Sequence, residues 1–296
     1  MAVNQNNTTA YNVSTNPGGM SDIFTKLLAD AQFAMYEQGI ARSIVTPFTY
    51  PNNAGKVLQV PVYSGVTAVD FTEGTAPSTT DTNTSSVDIT LAELGTYFQV
   101  TDFLRDSAQR DVIADLGFNA GRAIAEKMDS KVFALFNSFS NSVGTEDSAI
   151  TVNNLFEAVQ TLRNNKVVGP LAAVVSPRQA LQLKKELATT GGANLTANEV
   201  GNSILRQYYI GSLAGCAVYE SSLVKRDLDT DTDAELNAVG AVFAPTAIGH
   251  AMRGGIVMER QRQAAQRAED IVMYAVCGQS ILQNSHGVKL IGSDSD

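Results

Sequence analysis

Residues 71–107 read FTEGTAPSTTDTNTSSVDITLAELGTYFQVTDFLRDS. Within them Val87, Ile89 and Leu91 alternate with Asp88 and Thr90, the period of two that marks a half-buried strand. Upstream, Leu58, Val60 and Val62 alternate in the same way with Gln59, Pro61 and Tyr63. Between the two runs lies PSTTDTNTSS (77–86), eight of whose ten residues are Ser, Thr or Asn. The reading is a long hairpin with a polar tip and no core of its own. A two-stranded hairpin is marginal in water. This one must lie on something, either its own body or a neighbouring molecule.

Past Asp102 the period changes to that of a helix. Val112, Leu116, Ala120, Ile124, Met128, Val132 and Phe136 mark one side, widened by Ile113, Ala123 and Phe133. Arg110, Asp111, Asp115, Arg122, Glu126 and Lys131 fall opposite, many at i,i+4 and of opposite sign, as on a solvated face. Asp102 to Phe139 is the longest helical stretch. A helix near 30 residues long would span roughly 45 Å, a strut longer than one domain core needs.

Before the hairpin, residues 1–20 carry no charge and are rich in Asn, Gln, Ser and Thr. Such a segment buries too little apolar surface to offset its ordering entropy alone. It reads as a disordered tail or as an arm ordered against a neighbour. A helix follows, capped by Ser21 or Asp22, with Ile23, Leu27, Ala31 and Met35 on one face. Gly39 weakens its end and Pro47 forbids its continuation.

After the long helix, residues 150–244 alternate helices and strands. Thr151 can cap a helix with Leu155, Val159 and Leu162, and LAAVV (171–175) is a buried strand. Ser176-Pro177-Arg178-Gln179 combines an N-cap Ser, Pro at the first helical position and Gln at the third. Its helix carries Ala180, Leu183 and Leu187 and runs into a Gly- and Thr-rich loop at 189–198. A helix through Ile204 and Leu205 and a strand at 216–220 complete a compact α/β unit. Thr246 is expected to cap a short helix, and GIVMER, DIVMYAVC and VKLIG are strands. These late strands have only each other and the early hairpin region to pair with, so the two ends of the chain should share a sheet.

Composition and motifs narrow the chemistry. The 296 residues carry 21 Lys+Arg against 30 Asp+Glu, a formal net charge of -9, which argues against a basic face gripping nucleic acid. Charged residues make up 17%, below the roughly 25% usual for globular domains, and this favours extensive self-contact. Cys216 and Cys277 exclude a disulfide scaffold and read as small buried hydrophobes. His250 and His286 stand apart with no cysteine at ligand spacing, so no metal site is expected. No run approaches the ~20 apolar residues of a membrane helix, and no secretory signal is visible, so a soluble, intracellularly made chain is expected. The acidic run DLDTDTDAE (227–235) fails as an EF-hand: counting from Asp229, Ala234 and Gly240 stand where Gly and Glu are needed. Ser222 to Lys225 matches S-x-x-K without the partner motifs of serine acylases. Arg253, Arg260, Arg262 and Arg267 are interleaved with Glu259, Glu269 and Asp270, a pattern of ion pairs rather than of a phosphate track. No catalytic, cofactor-binding or metal-ligating residue is named, and no cofactor is expected.

The order of these parts resembles the Hong Kong 97-type major capsid protein of tailed double-stranded DNA bacteriophages, with a feel closest to short-tailed phages. Residues 71–107 look like that family's extended loop running into the spine helix, and AGRAIAEKMDSKVFALF (120–136) like the second half of the spine. VVSPRQALQLKKEL (174–187) and IGSLAGCAVYESS (210–222) resemble the axial domain. FAPTAIGHAMRGGIVMERQRQAAQRAEDIVMYAVCG (243–278) looks like the closing segment of short-tailed phage coat proteins. The resemblance implies an α+β fold in four parts: N-terminal arm and helix (1–53), extended loop (54–100), peripheral domain (101–148 and 245–296) and axial domain (149–244). It implies hexamers and pentamers of an icosahedral shell enclosing packaged double-stranded DNA, without sequence-specific binding and without a membrane. The implied partners are the chain itself, a scaffolding protein, a portal and a decoration or cement protein. Because about 20 residues precede the first helix, any scaffold is expected to be a separate protein. The implied location is the virion, after synthesis in the host cytoplasm. An encapsulin-like compartment shell is the alternative within the fold, and a carboxylate-dependent enzyme the alternative outside it.

Overall fold

A computed structural model of the chain describes residues 27–35, 39–51, 55–63, 68, 70, 73–74, 84–107, 112–190, 212–224, 226–228 and 236–294. The expected cap at Ser21 or Asp22, the polar tip at 77–83, the helix through Ile204 and Leu205, and most of the acidic run lie outside these residues.

The hairpin appears where the period of two places it. Strands β2 (Val57–Tyr63) and β3 (Thr84–Thr90) pair antiparallel, from Val57 opposite Thr90 to Tyr63 opposite Thr84. They form a sheet of their own. Strand β4 (Ala92–Thr101) instead joins a four-stranded sheet in the order β1-β11-β12-β4, where β1 is Thr46–Thr49, β11 Ile248–Gln263 and β12 Ala268–Ile281. The two ends of the chain do share this sheet. Pro47 is tolerated in β1 because that strand lies at the sheet edge, where a missing N–H breaks no ladder on its outer side.

One face of the sheet is covered by helices. Ile271, Met273, Ala275 and Cys277 of β12 pack against Ala120, Ile124 and Met128, with Leu27, Ala31 and Met35 of α1 (27–35) completing the layer. Of the expected helical stretch the structure describes α3 (Asp102–Ser107) and α4 (Val112–Phe133), residues 108–111 lying outside the described residues, and a 3-10 turn takes over at Ala134–Ser138. The described spine, α4, has 22 residues and spans about 33 Å. Gly117 and Gly121, one helical turn apart, let α1 lie against it. A Cβ at Gly121 would collide with the backbone of Ala31.

A second, seven-stranded sheet runs β5-β13-β10-β6-β8-β7, with β9 (Arg226–Leu228) also on β10. Its members are β5 (Asn141–Gly144), β6 (Leu171–Val175), β7 (Ser212–Leu213), β8 (Cys216–Glu220), β10 (Leu236–Phe243) and β13 (Gly287–Ser293). Sheet membership cuts across a boundary at 245, because β13 pairs with β10 along its whole length. Local periodicity shows that 288–292 is a strand; which sheet it enters is settled by long-range pairing.

Helix starts follow the sequence closely. Asn154 N donates to Thr151 Oγ1 at 3.2 Å to open α5 (Val152–Asn164). For α6 (Pro177–Thr190) the exchange is reciprocal: Gln179 N donates to Ser176 Oγ and Ser176 N to Gln179 Oε1, each at 3.2 Å. Such a box satisfies two orphan donors at once. α6 continues to Thr190, past the expected start of the loop at 189. Thr246 does not cap: the turn Pro245–Ala247 starts from Ala244, and Thr246 Oγ1 bonds His286 Nδ1 at 2.7 Å instead.

The two sheets meet through a phenylalanine cluster. Phe133, Phe136 and Phe139 leave the end of the spine and reach Phe243 of β10, with centroids 5.3 to 6.5 Å apart. All four are essentially buried.

Candidate functional site

The hairpin is anchored at one end only. Ile89 and Leu91 are buried among Tyr50 and Ala251, with Leu58, Val60 and Val276 against them. Tyr50 donates its hydroxyl to the Val57 carbonyl at 3.1 Å, and Leu91 N donates to Lys56 O at 2.9 Å. Tyr63 is 68% exposed, although its strand pairing is intact. Residues 57–90 carry Asp70, Glu73, Asp81 and Asp88 and no Lys or Arg.

The four-stranded sheet has one covered face and one open face. On the open side Tyr97 lies opposite Val272 and Val257 opposite Tyr274. Tyr97, Val257 and Val272 are exposed. The carboxylates here are Glu93, Glu259 and Asp270. Tyr274 donates to Glu259 at 3.0 Å, and bonds to Asp270 and Glu259 raise the Tyr97 and Tyr274 phenols above their usual range. Asp270 is held below the usual carboxylate range, first by the Gln99 amide at 2.7 Å. At the hairpin base Arg253 donates to the Gly55 carbonyl and lies over the Tyr50 ring, and Lys56 lines the same pocket beside Glu93 and Val276.

Three of the four arginines expected to form ion pairs, Arg260, Arg262 and Arg267, lie at the far end of β11–β12 on the helix-covered side, while Arg253 faces the open side. Arg262 makes a bidentate pair with Asp102 at 2.6 and 2.8 Å, Arg267 stands 3.9 Å from the same carboxylate, and Arg260 lies 3.6 Å from Glu269. On the spine, Arg122 pairs with Glu126 at i,i+4, 3.0 Å apart.

The histidines and cysteines weighed for chemistry do not form a cluster among the described residues. His250 and His286 sit in different surroundings: His250 is buried and meets Gln279 Nε2 at 3.3 Å, while His286 meets Thr246. Desolvation lowers both, His250 to about 4. Cys216 and Cys277 are fully buried, and burial pushes the Cys216 thiol up to about 11. Ser222 lies in a turn, and Lys225 is outside the described residues. Among the described residues no three His, Cys, Asp or Glu side chains are placed to hold a metal, and no helix is long and apolar enough to cross a membrane.

The sequence reading passes over Asp129. Only 5% exposed on α4, it accepts Ile40 N at 2.9 Å and Ala41 N at 3.2 Å, capping α2 (Ala41–Ile44) and tying the N-terminal segment to the spine. Burial pushes its carboxyl up to about 6. Across a cavity of about 20 Å3 lies His250, whose Nε2 has no hydrogen-bond partner among the described residues. A carboxylate next to Met128, on the apolar side of the spine, was the available signal.

Comparison with known proteins places these features. No curated protein matches the sequence. The family described as phage capsid protein matches residues 81–277. The capsid of the cyanophage P-SCSP1u superposes with a TM-score of 0.67 at 17% identity, over 85% of this chain and 87% of that one. A structure of Mycobacterium phage Che8 gives 0.60 at 20% identity, over 80% and 84%. A virus-like particle from Pyrococcus furiosus gives 0.57 at 12% identity, over 90% and 98%. At these identities the likeness is one of fold, here the Hong Kong 97-type capsid fold. The family match takes in β3 to β11, the spine among them, and most of β12. The chain belongs to the phage capsid protein family and is a structural protein of the virion shell.

Proposed function

We propose that the chain is the major shell subunit of a tailed phage, forming hexamers and pentamers through residues 149–244 and clamping neighbours with residues 54–100. In this reading residues 101–148 and 245–296 form the peripheral platform, and 1–53 an arm reaching an adjoining copy. A separate scaffolding protein, a portal and a decoration protein are its partners. The subunit is made in the host cytoplasm and encloses double-stranded DNA without reading its sequence. Its work is assembly rather than catalysis. The acidic balance supports this, since a lining that gripped DNA would hinder packaging and ejection.

The observation that carries the reading is the hairpin. Its base is packed by Ile89 and Leu91, while Tyr63, six residues along β2, is 68% exposed. A two-stranded ribbon gains stability from a third layer, and a neighbouring copy supplies one. The test is electron microscopy of the purified chain, with and without a scaffold, beside a variant lacking residues 75–86. Closed shells from the intact chain and folded but unassembled or misassembled variant are expected. A strictly monomeric intact chain, or normal shells from the variant, would refute the clamp.

The likeness to the virus-like particle from Pyrococcus furiosus favours one other reading, a compartment shell enclosing protein cargo. Particle contents separate the two: nucleic acid inside, with portal and terminase genes adjacent, supports the phage shell.

A further inference from the structure

Resting on the hairpin-clamp reading, we infer where on the neighbouring copy the hairpin sits. Its seat is the arginine end of β11–β12 on the helix-covered side, around Arg260, Arg262 and Arg267, and not the open face of the sheet.

The argument is one of sign. Residues 57–90 hold four carboxylates and no Lys or Arg, so the whole ribbon is anionic. The open face displays the exposed apolar surface, Tyr97 and Val272, that a ribbon would otherwise seek. That face also carries Glu93, Glu259 and Asp270, and Asp270 is held ionised by its amide partners. Its cations at the hairpin base, Arg253 and Lys56, stand beside Glu93, and Arg253 is engaged by the Gly55 carbonyl and the Tyr50 ring. Laying an acidic ribbon there sets like charges against each other, a cost that suppresses wrong docking.

The arginine end offers the opposite field. Three guanidinium groups face two carboxylates, Asp102 and Glu269, whose side chains are each only 14% exposed. The guanidinium groups stand further out, and the Arg267 side chain is 81% exposed on a left-handed turn residue (φ 49°) that projects it from the strand end. The partly buried acids orient the arginines, and of the three side chains that of Arg267 is the most exposed. Arginine suits this task because its fork binds carboxylates bidentately while staying charged.

The test is a charge swap in the full-length chain. Arg267→Glu alone, and Glu73→Lys with Asp88→Lys, each reverse exposed charge and spare the core. Particle yield is read by sedimentation and electron microscopy, and the fold of each subunit by its melting curve. Each reversal is expected to lower yield about tenfold or more at low salt. The triple variant should recover most of the loss. Tyr97→Lys, on the open face, should leave yield unchanged. Wild-type yield from Arg267→Glu, or failure of the triple variant to recover, overturns the seat. Loss with Tyr97→Lys while Arg267→Glu is tolerated overturns it too and moves the hairpin to the open face. If deleting 75–86 still abolishes shells in those cases, the clamp stands and only its seat is wrong. If the deletion assembles normally, the clamp itself has failed.

Discussion

The seven-stranded sheet and the β2–β3 ribbon are built from similar residues and end in opposite states. In LAAVV of β6 all five residues are buried, because β10 and β8 flank the strand and α5 and α6 contribute to the core around it. In VLQVPVY of β2 exposed and half-buried residues alternate, because among the described residues β3 alone pairs with it. Hydrogen-bonded pairing is complete in both. What differs among the described residues is the number of layers, and a two-stranded ribbon is marginal where a layered sheet is stable.

The sharpest way to break this comparison is to damage the covered side. Phe136→Ala empties the centre of the aromatic cluster joining the spine to β10 and should cost about 3–5 kcal/mol. Denaturant unfolding measures it; a loss well under 1 kcal/mol would mean the two sheets are not held by this contact.

Next comes the buried pair beneath the N-terminal segment. The Asp129 carboxyl is raised from 3.8 to about 6, so between those values the folded chain holds a proton that the unfolded chain has released. Stability from this group is present at low pH and falls as pH rises through that window. His250 is lowered from 6.5 to about 4, which gives the reverse: stability falls as pH drops from 6.5 toward 4. The two slopes oppose, so the intact chain should be nearly flat across this range. His250→Gln should become more stable, and Asp129→Asn less stable, on acidification from pH 6.5 to 4, by on the order of 2–3 kcal/mol each. Melting temperatures at several pH values test the signs, and equal slopes in both variants would refute the assignment.

A smaller loss is expected at the spine. Gly121→Ala gains about 1 kcal/mol of helix propensity, yet its methyl meets the Ala31 backbone. Overpacking of about 1–3 kcal/mol outweighs the gain, so the variant should be destabilised by roughly 1 kcal/mol. A stabilised variant would show that α1 yields.

The smallest effect on folding belongs to the hairpin. Deleting residues 75–86 should shift subunit stability by no more than about 0.5 kcal/mol while abolishing or misdirecting shells. A large loss of subunit stability would erase the contrast between ribbon and sheet.

Much of this was legible in the residues. The hairpin showed in its period of two, and the helix starts showed at Thr151 and Ser176, because capping and alternation are local. The spine face at Ala120, Ile124, Met128 and Val132 was equally clear, and these side chains are buried. Asp129 was missed because a carboxylate on an apolar stripe gains its meaning from Ile40 and Ala41, some ninety positions away. Thr246 looks like a cap until His286 stands beside it.

By itself, then, the sequence determined the kind and order of elements, the anionic character of residues 57–90 and the absence of the common catalytic motifs, since each is carried by neighbouring residues or by plain charge count. Only the tertiary structure decided that 287–293 enters the seven-stranded sheet, that Arg260, Arg262 and Arg267 gather on one side of β11–β12, and that Glu93, Glu259 and Asp270 share the other. Those outcomes depend on pairing across distances at which local preference carries no information, and there burial and charge are distributed by topology.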